Sequence, residues 1–87
     1  MAALSSEVLH DDMAVTLARV MATANKRARE LGVDILQSLV TITQQFDNGT
    51  FWRINYGPKD YLNKRGGGLI IEVGGDDIKI KQVLRGQ

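Results

Sequence analysis

Three groups of side chains in this 87-residue chain are of types that chemistry requires. The first is Lys64-Arg65-Gly66-Gly67-Gly68. Two cations precede glycines, and bare glycine backbone lets N–H groups approach an anion closely. The spacing is not that of a phosphate-binding P-loop, which needs its lysine after the glycines at a helix start. Here a strand pattern follows. Lys64, Arg65, Gly66 and Gly67 are the anion-binding candidates, set against a simpler role as a crossover between two hairpins. The second group is His10-Asp11-Asp12, which holds the sole histidine. Consecutive residues on a helix splay around its axis, and helical metal ligands stand at i, i+3 or i, i+4, so no metal site is expected. The third is the set of hydroxyls and carboxylates. Ser5, Ser6 and Ser38 lack a nucleophile-elbow pattern and a nearby base. Asp34, Asp47, Asp76 and Asp77 fall where turns use carboxylates locally. The expectation is a non-enzyme with no catalytic residue and no cofactor.

Composition narrows the class further. Eleven basic and ten acidic residues give a formal net charge of +1, too balanced for binding nucleic acid or acidic membrane by bulk electrostatics. There is no cysteine, so neither disulfides nor thiolate-held metal support the fold, which suits a reducing compartment. Glu7, Asp11 and Asp12 interrupt what would be the apolar stretch of a signal peptide. No apolar run approaches the roughly 20 residues that a membrane span needs. A cytoplasmic protein of one domain is expected, since a chain of this length buries a modest core.

The elements follow from periodicity. Residues 1–5 read as a flexible N-terminus and 6–31 as one long helix. Ser5 or Ser6 caps its start, Glu7, Asp11 and Asp12 occupy its early turns, and Lys26, Arg27 and Arg29 its last turns. Gly32 supplies the left-handed stop. Leu9, Met13, Leu17, Met21, Ala24, Ala28 and Leu31 recur every three or four residues as the core stripe, flanked by Ala14, Ala18 and Ala22. Residues 35–57 form a first hairpin, 58–67 a loop and 68–85 a second hairpin. At the first tip, a two-residue Asn48-Gly49 turn would mix polar and apolar side chains on each face. A three-residue Asp47-Asn48-Gly49 loop pairs Ile42 with Ile54 and Val40 with Tyr56, and is preferred because it gathers the apolar residues together. At the second tip, a Gly75-Asp76 turn pairs Val73 with Ile78, Ile71 with Ile80 and Glu72 with Lys79. The predicted fold class is α+β, with one long N-terminal helix packed on a four-stranded antiparallel sheet.

That register sets the surface. The outer face would show Thr41, Thr43, Gln45, Arg53, Asn55, Ile70, Glu72, Lys79, Lys81, Val83 and Arg85. Arg53, Asn55, Ile70, Lys79, Lys81 and Val83 are the partner-binding candidates. Sheets that bind RNA offer aromatic platforms, whereas here Trp52 and Tyr56 face the helix and only Phe51 faces outward. The expected partner is therefore another protein or a second copy, meeting the outer face or an open edge strand. The alternative is an RNA or anion binder using the Lys64-Arg65 glycine-rich loop and the basic last strand.

The alanine-spaced helix (Ala14, Ala18, Ala22, Ala28) is followed by Trp52-Arg53-Ile54-Asn55-Tyr56-Gly57-Pro58. After a loop come Arg65-Gly66-Gly67-Gly68-Leu69-Ile70-Ile71-Glu72-Val73 and Ile80-Lys81-Gln82-Val83-Leu84-Arg85-Gly86-Gln87. This pattern resembles the cystatin-like group of small proteins, within it the immunity-type and PepSY-like domains. The resemblance implies a long helix wrapped by a curved antiparallel sheet, and a non-enzymatic role in binding or inhibiting another protein. The Gln-Val-Val-Ala-Gly-type hairpin of cystatin inhibitors is absent, so cysteine-protease inhibition is not implied.

Overall fold

A computed structural model describes residues 6–58 and 68–85. The expected flexible N-terminus (1–5) lies outside the described residues, as do Gly86, Gln87 and the expected loop 58–67 except for Pro58, which ends a strand. The helical segment divides in two: α1 is the single turn Ser6–Leu9, and α2 runs Asp12–Glu30. The expected unbroken helix over 6–31 fails at Asp11, which is extended (φ −101°, ψ 107°). Its carboxylate accepts a hydrogen bond from the Ala14 N–H at 3.0 Å. A short acceptor side chain satisfies orphan donors best from a cap, and here it restarts the helix. The other end stops as the sequence predicts. Gly32 has φ +89°, its N–H donates to the Arg29 carbonyl, and the Val33 N–H donates to Ala28 O at 2.9 Å. This is a Schellman arrangement, with Val33 then folding back onto the core.

After a 3₁₀ turn at Ile35–Gln37 come β1 (Ser38–Phe46), β2 (Thr50–Pro58), β3 (Leu69–Gly74) and β4 (Ile80–Arg85). They form one antiparallel sheet in the order β1-β2-β3-β4. The α+β class, with a helix preceding a four-stranded antiparallel sheet, is as predicted. So is the first register: Ile42 stands opposite Ile54 and Val40 opposite Tyr56. The three-residue connection is achieved with positive φ at Asn48 (57°) and Gly49 (124°), residue types that tolerate it.

The second register differs. Val73 pairs with Ile80, Ile71 with Val83 and Glu72 with Gln82, not with Ile78, Ile80 and Lys79. Two local features cause this. The connection spans residues 75–79: Asp77 Oδ1 accepts from the Lys79 N–H at 3.1 Å, and the Gly74 N–H donates to Lys79 O at 2.9 Å. An Asx-type turn has displaced the glycine-led one, and it forces Ile78 to φ 53°, a strained setting for a β-branched side chain. Between Glu72 and Val73 the ladder then shifts, leaving Lys81 as the extra residue of a bulge.

The core joins Val20, Ala24 and Ala28 of α2 to Trp52, Ile54, Tyr56, Leu69, Ile71 and Val73. Leu17 and Met21 pack at its margin, and Val20, outside the expected stripe, lies at its centre. Small residues at i and i+4 let the helix axis approach the sheet, so the narrow face points inward and the larger side chains flank it. Leu9 and Met13, assigned to the stripe, are instead exposed: Leu9 precedes the break at Asp11, and Met13 borders an open hollow beside Trp52. Asn25 and Tyr56 tie the layers together: the phenol donates to Asn25 Oδ1 at 2.7 Å. Burial pushes the Tyr56 phenol up from 10.0 to about 12, against the opposing pull of the Arg29 charge.

Trp52→Ala is expected to lower stability by about 3–5 kcal/mol in a urea melt; an unchanged midpoint would remove Trp52 from the core. A raised folded-state value means that the neutral Tyr56 phenol contributes fully below pH 10, and that this contribution is lost as pH rises from 10 to about 12. Alkaline melts should therefore fall more steeply across that window for the natural chain than for Tyr56→Phe. Parallel curves would contradict the assignment.

Candidate interaction surface

The outer face of the sheet is largely satisfied by its own neighbours. Arg53 and Glu72 stand opposite each other on β2 and β3, and the guanidinium donates to Glu72 Oε2 through Nε (3.0 Å) and Nη2 (2.7 Å). Glu72 is buried, its side chain only 10% exposed, while that of Arg53 is 41% exposed. A carboxylate so desolvated needs this partner, so Arg53 is committed within the fold. Beside it Lys81 Nζ lies 5.9 Å from the centroid of the Phe51 ring, the one aromatic on this face among the described residues. A side chain on Gly74 would collide with Asp77 and come within 3.1 Å of Lys81 Cε, so the missing Cβ leaves room for both.

The predicted partner-binding residues are therefore only partly assembled. Arg53, Asn55, Ile70 and Lys81 share the outer face, with Asn55 directly opposite Ile70. Lys79 belongs to the 75–79 connection. Val83 is corrected to the helix side, where it packs on the core as the partner of Ile71. Arg85 turns the same way, and its Nη2 donates to Leu31 O at 3.0 Å at the helix C-terminus. The bulge at Lys81 shifts the pairing of the rest of β4, and Leu84 takes the outer place beside Ile70. The anion-binding candidates Lys64, Arg65, Gly66 and Gly67 lie outside the described residues. His10 is exposed and Asp11 is spent as a cap. Among the described residues no group of three or more His, Asp or Glu side chains could hold a metal ion.

A different surface is unspent. β1 is an edge strand of nine residues, Ser-Leu-Val-Thr-Ile-Thr-Gln-Gln-Phe, and none is charged. Antiparallel strands turn their N–H and C=O groups to alternate sides along the chain. Thr50 O accepts from the Gly75 N–H, on the β3 side. The even residues of β2 thus bond toward β3 and the odd ones toward β1. By the pairing of the two strands, Thr41 and Thr43 bond inward, while the backbone groups of Val40, Ile42 and Gln44 face the open edge. The helix-facing flank of this edge, where Val40 still packs on the core, is bare from Ile42 to Phe46. Ile42 is exposed, and Phe46 and Leu36 remain 78% and 82% exposed at the two ends. Next to them Met13, Gln44, Thr50 and Trp52 line an open hollow of about 410 Å³, with Asp12 and Asp76 at its walls. Trp52 Nε1 is buried without a hydrogen-bond partner among the described residues.

The sequence pointed to an open edge but not to which one, nor to its apolar flank. The available signal was the uncharged stretch between Asp34 and Asp47, combined with the width of a single helix. Comparison of the chain with protein-family models, with curated proteins and with solved structures returned no match. Among the described residues no helix is long and apolar enough to cross a membrane.

Arg53→Ala is expected to lower stability by about 1–2 kcal/mol, the lower range for a buried pair because the arginine is half in solvent. The double variant Arg53→Leu/Glu72→Leu should regain most of that in the same denaturant melts. Additive losses in the double variant would show that the pair is not coupled.

Proposed function

We propose that the chain is a non-catalytic protein-interaction module whose binding surface is the open edge of β1 with its bare flank. One observation carries this reading: nine uncharged residues present an unpaired ladder, and the large apolar side chains around it are uncovered. Natural edge strands are usually blunted by charge, proline, a bulge or a covering segment. β4 has such devices in Lys81, its bulge and Arg85, whereas among the described residues β1 has no charge, proline, bulge or covering segment. An edge left open beside an opposite edge so guarded reads as a place for strand addition.

The resemblance of the sequence to the cystatin-like group would add an inhibitor or immunity-type role, in which the bound partner is another protein. The sheet's outer face, the other surface expected to dock a partner, serves less well, since Arg53 and Phe51 are already engaged there. The same engagement weighs against stacking of RNA bases on that face, which needs a free aromatic platform.

Affinity capture with the tagged natural chain should retain a stoichiometric protein partner or a second copy. Ile42→Lys should abolish that retention while the variant remains folded, with a cooperative thermal melt. A natural chain that emerges monomeric and alone would overturn the proposal. Low-salt titration with single-stranded RNA should give no shift; binding that falls steeply with added salt would replace this reading with the nucleic-acid one.

A further inference from the structure

We infer that the occupant of the β1 edge is a second copy of this chain, paired antiparallel about a two-fold axis through Ile42. The inference rests on the reading of β1 as the binding surface and names its partner.

Symmetry and hydrogen bonding restrict the pairing sharply. A two-fold axis normal to the sheet keeps each side chain on its own face, so even positions must meet even positions. The even positions are also those whose N–H and C=O groups face outward, so both conditions are met together. Using the whole strand places its midpoint, Ile42, on the axis and sets Ser38 opposite Phe46. Val40 then meets Gln44, and on the outer face Thr41 meets Thr43, a favourable cross-strand pair.

Charge selects self-pairing at this edge and opposes it at the other. Directly opposed like charges destabilise a ladder, and every residue of β1 meets its counterpart without charge. Two β4 edges would put cations on both faces of the seam, Lys81 on the outer face and Arg85 on the helix side, over a bulged ladder.

The exposed apolar residues match the same register. Phe46 and Leu36, the most exposed large hydrophobics among the described residues, flank opposite ends of β1. Pairing about Ile42 carries Phe46 of the second copy to Ser38, two residues from Leu36, and the symmetric contact repeats at the far end. The product is one eight-stranded sheet with both helices on the same side.

Sedimentation of the natural chain over a concentration series should show a reversible monomer–dimer equilibrium. Ile42→Lys, which sets two ammonium groups face to face, should weaken it about tenfold or more. The chain contains no cysteine, so single cysteines report position directly. Ile42→Cys should form a disulfide-linked dimer under mild oxidation, because hydrogen-bonded antiparallel partners stand about 5.5 Å apart at Cα, within disulfide reach. Leu84→Cys on β4 should stay monomeric under the same oxidation. Cross-linking through Leu84→Cys instead, or a natural chain that remains monomeric at its highest soluble concentration, overturns the inference. A monomer whose capture of a different protein is lost on Ile42→Lys leaves the edge reading standing and removes only the second copy. A dimer that survives Ile42→Lys and does not cross-link through Ile42→Cys removes both.

Discussion

The arrangement rests on a mismatch of widths. An α-helix with its side chains is about 10–12 Å across, while four strands spaced about 4.8 Å apart span roughly 14 Å between their outer axes. One helix cannot roof such a sheet. α2 lies chiefly over β3 and β2, where Val20, Ala24 and Ala28 let it approach Ile54, Ile71 and Val73. β4 is drawn under the same roof by Val83 and by the link from Arg85 to the helix C-terminus. The shortfall falls on both outer strands: Ile80 of β4 stays exposed, as do Ile42 and Phe46 of β1. The uncovered half of β1 follows from where the small residues of the helix seat it, and the interaction surface is the remainder of that fit.

How much of this could be read in advance depended on whether a local rule had a competitor. At the first hairpin the competitor, a two-residue Asn48-Gly49 turn, was excluded by the apolar alternation. Asn48 and Gly49 both accept positive φ, and the three-residue loop aligned the apolar alternation of both strands, so register and buried face were legible. The second tip offered two turn chemistries at once, a leading glycine and a pair of aspartates. Asp77 captured the Lys79 N–H and lengthened the connection, and the bulge at Lys81 then shifted the rest of β4. Val83 and Arg85 were misplaced for that reason alone. In the helix, periodicity marked a stripe but not its centre, because Val20 sits between the i+3 and i+4 paths through Leu17, Met21 and Ala24. The break at Asp11 was obscured by a run that continues apolar spacing on both sides of a good cap.

The candidate surface was less legible than the fold for a physical reason. Outer-face residues were named by parity, which tells which side a side chain occupies but not whether a neighbour already holds it. Arg53 is on the named face and yet neutralises a buried carboxylate, and Lys81 lies across Phe51. Alternation places the residues that remain available, Ile42 and Phe46, both on the helix side, Ile42 as the partner of Ile54. Only the lateral position of α2 reveals that this side is open at β1.

The meander order has a kinetic corollary. Every ladder joins sequence neighbours, and those of the two hairpins close over three and five residues, so little loop entropy opposes them. The first hairpin, with its cooperative tip, can zip before the helix has docked, and its uncharged margin is then displayed by a chain still incomplete. At high synthesis rates, nascent molecules would meet through that margin first. Templated association and runaway aggregation would thus share one starting point, separated only by how quickly each molecule completes its own sheet.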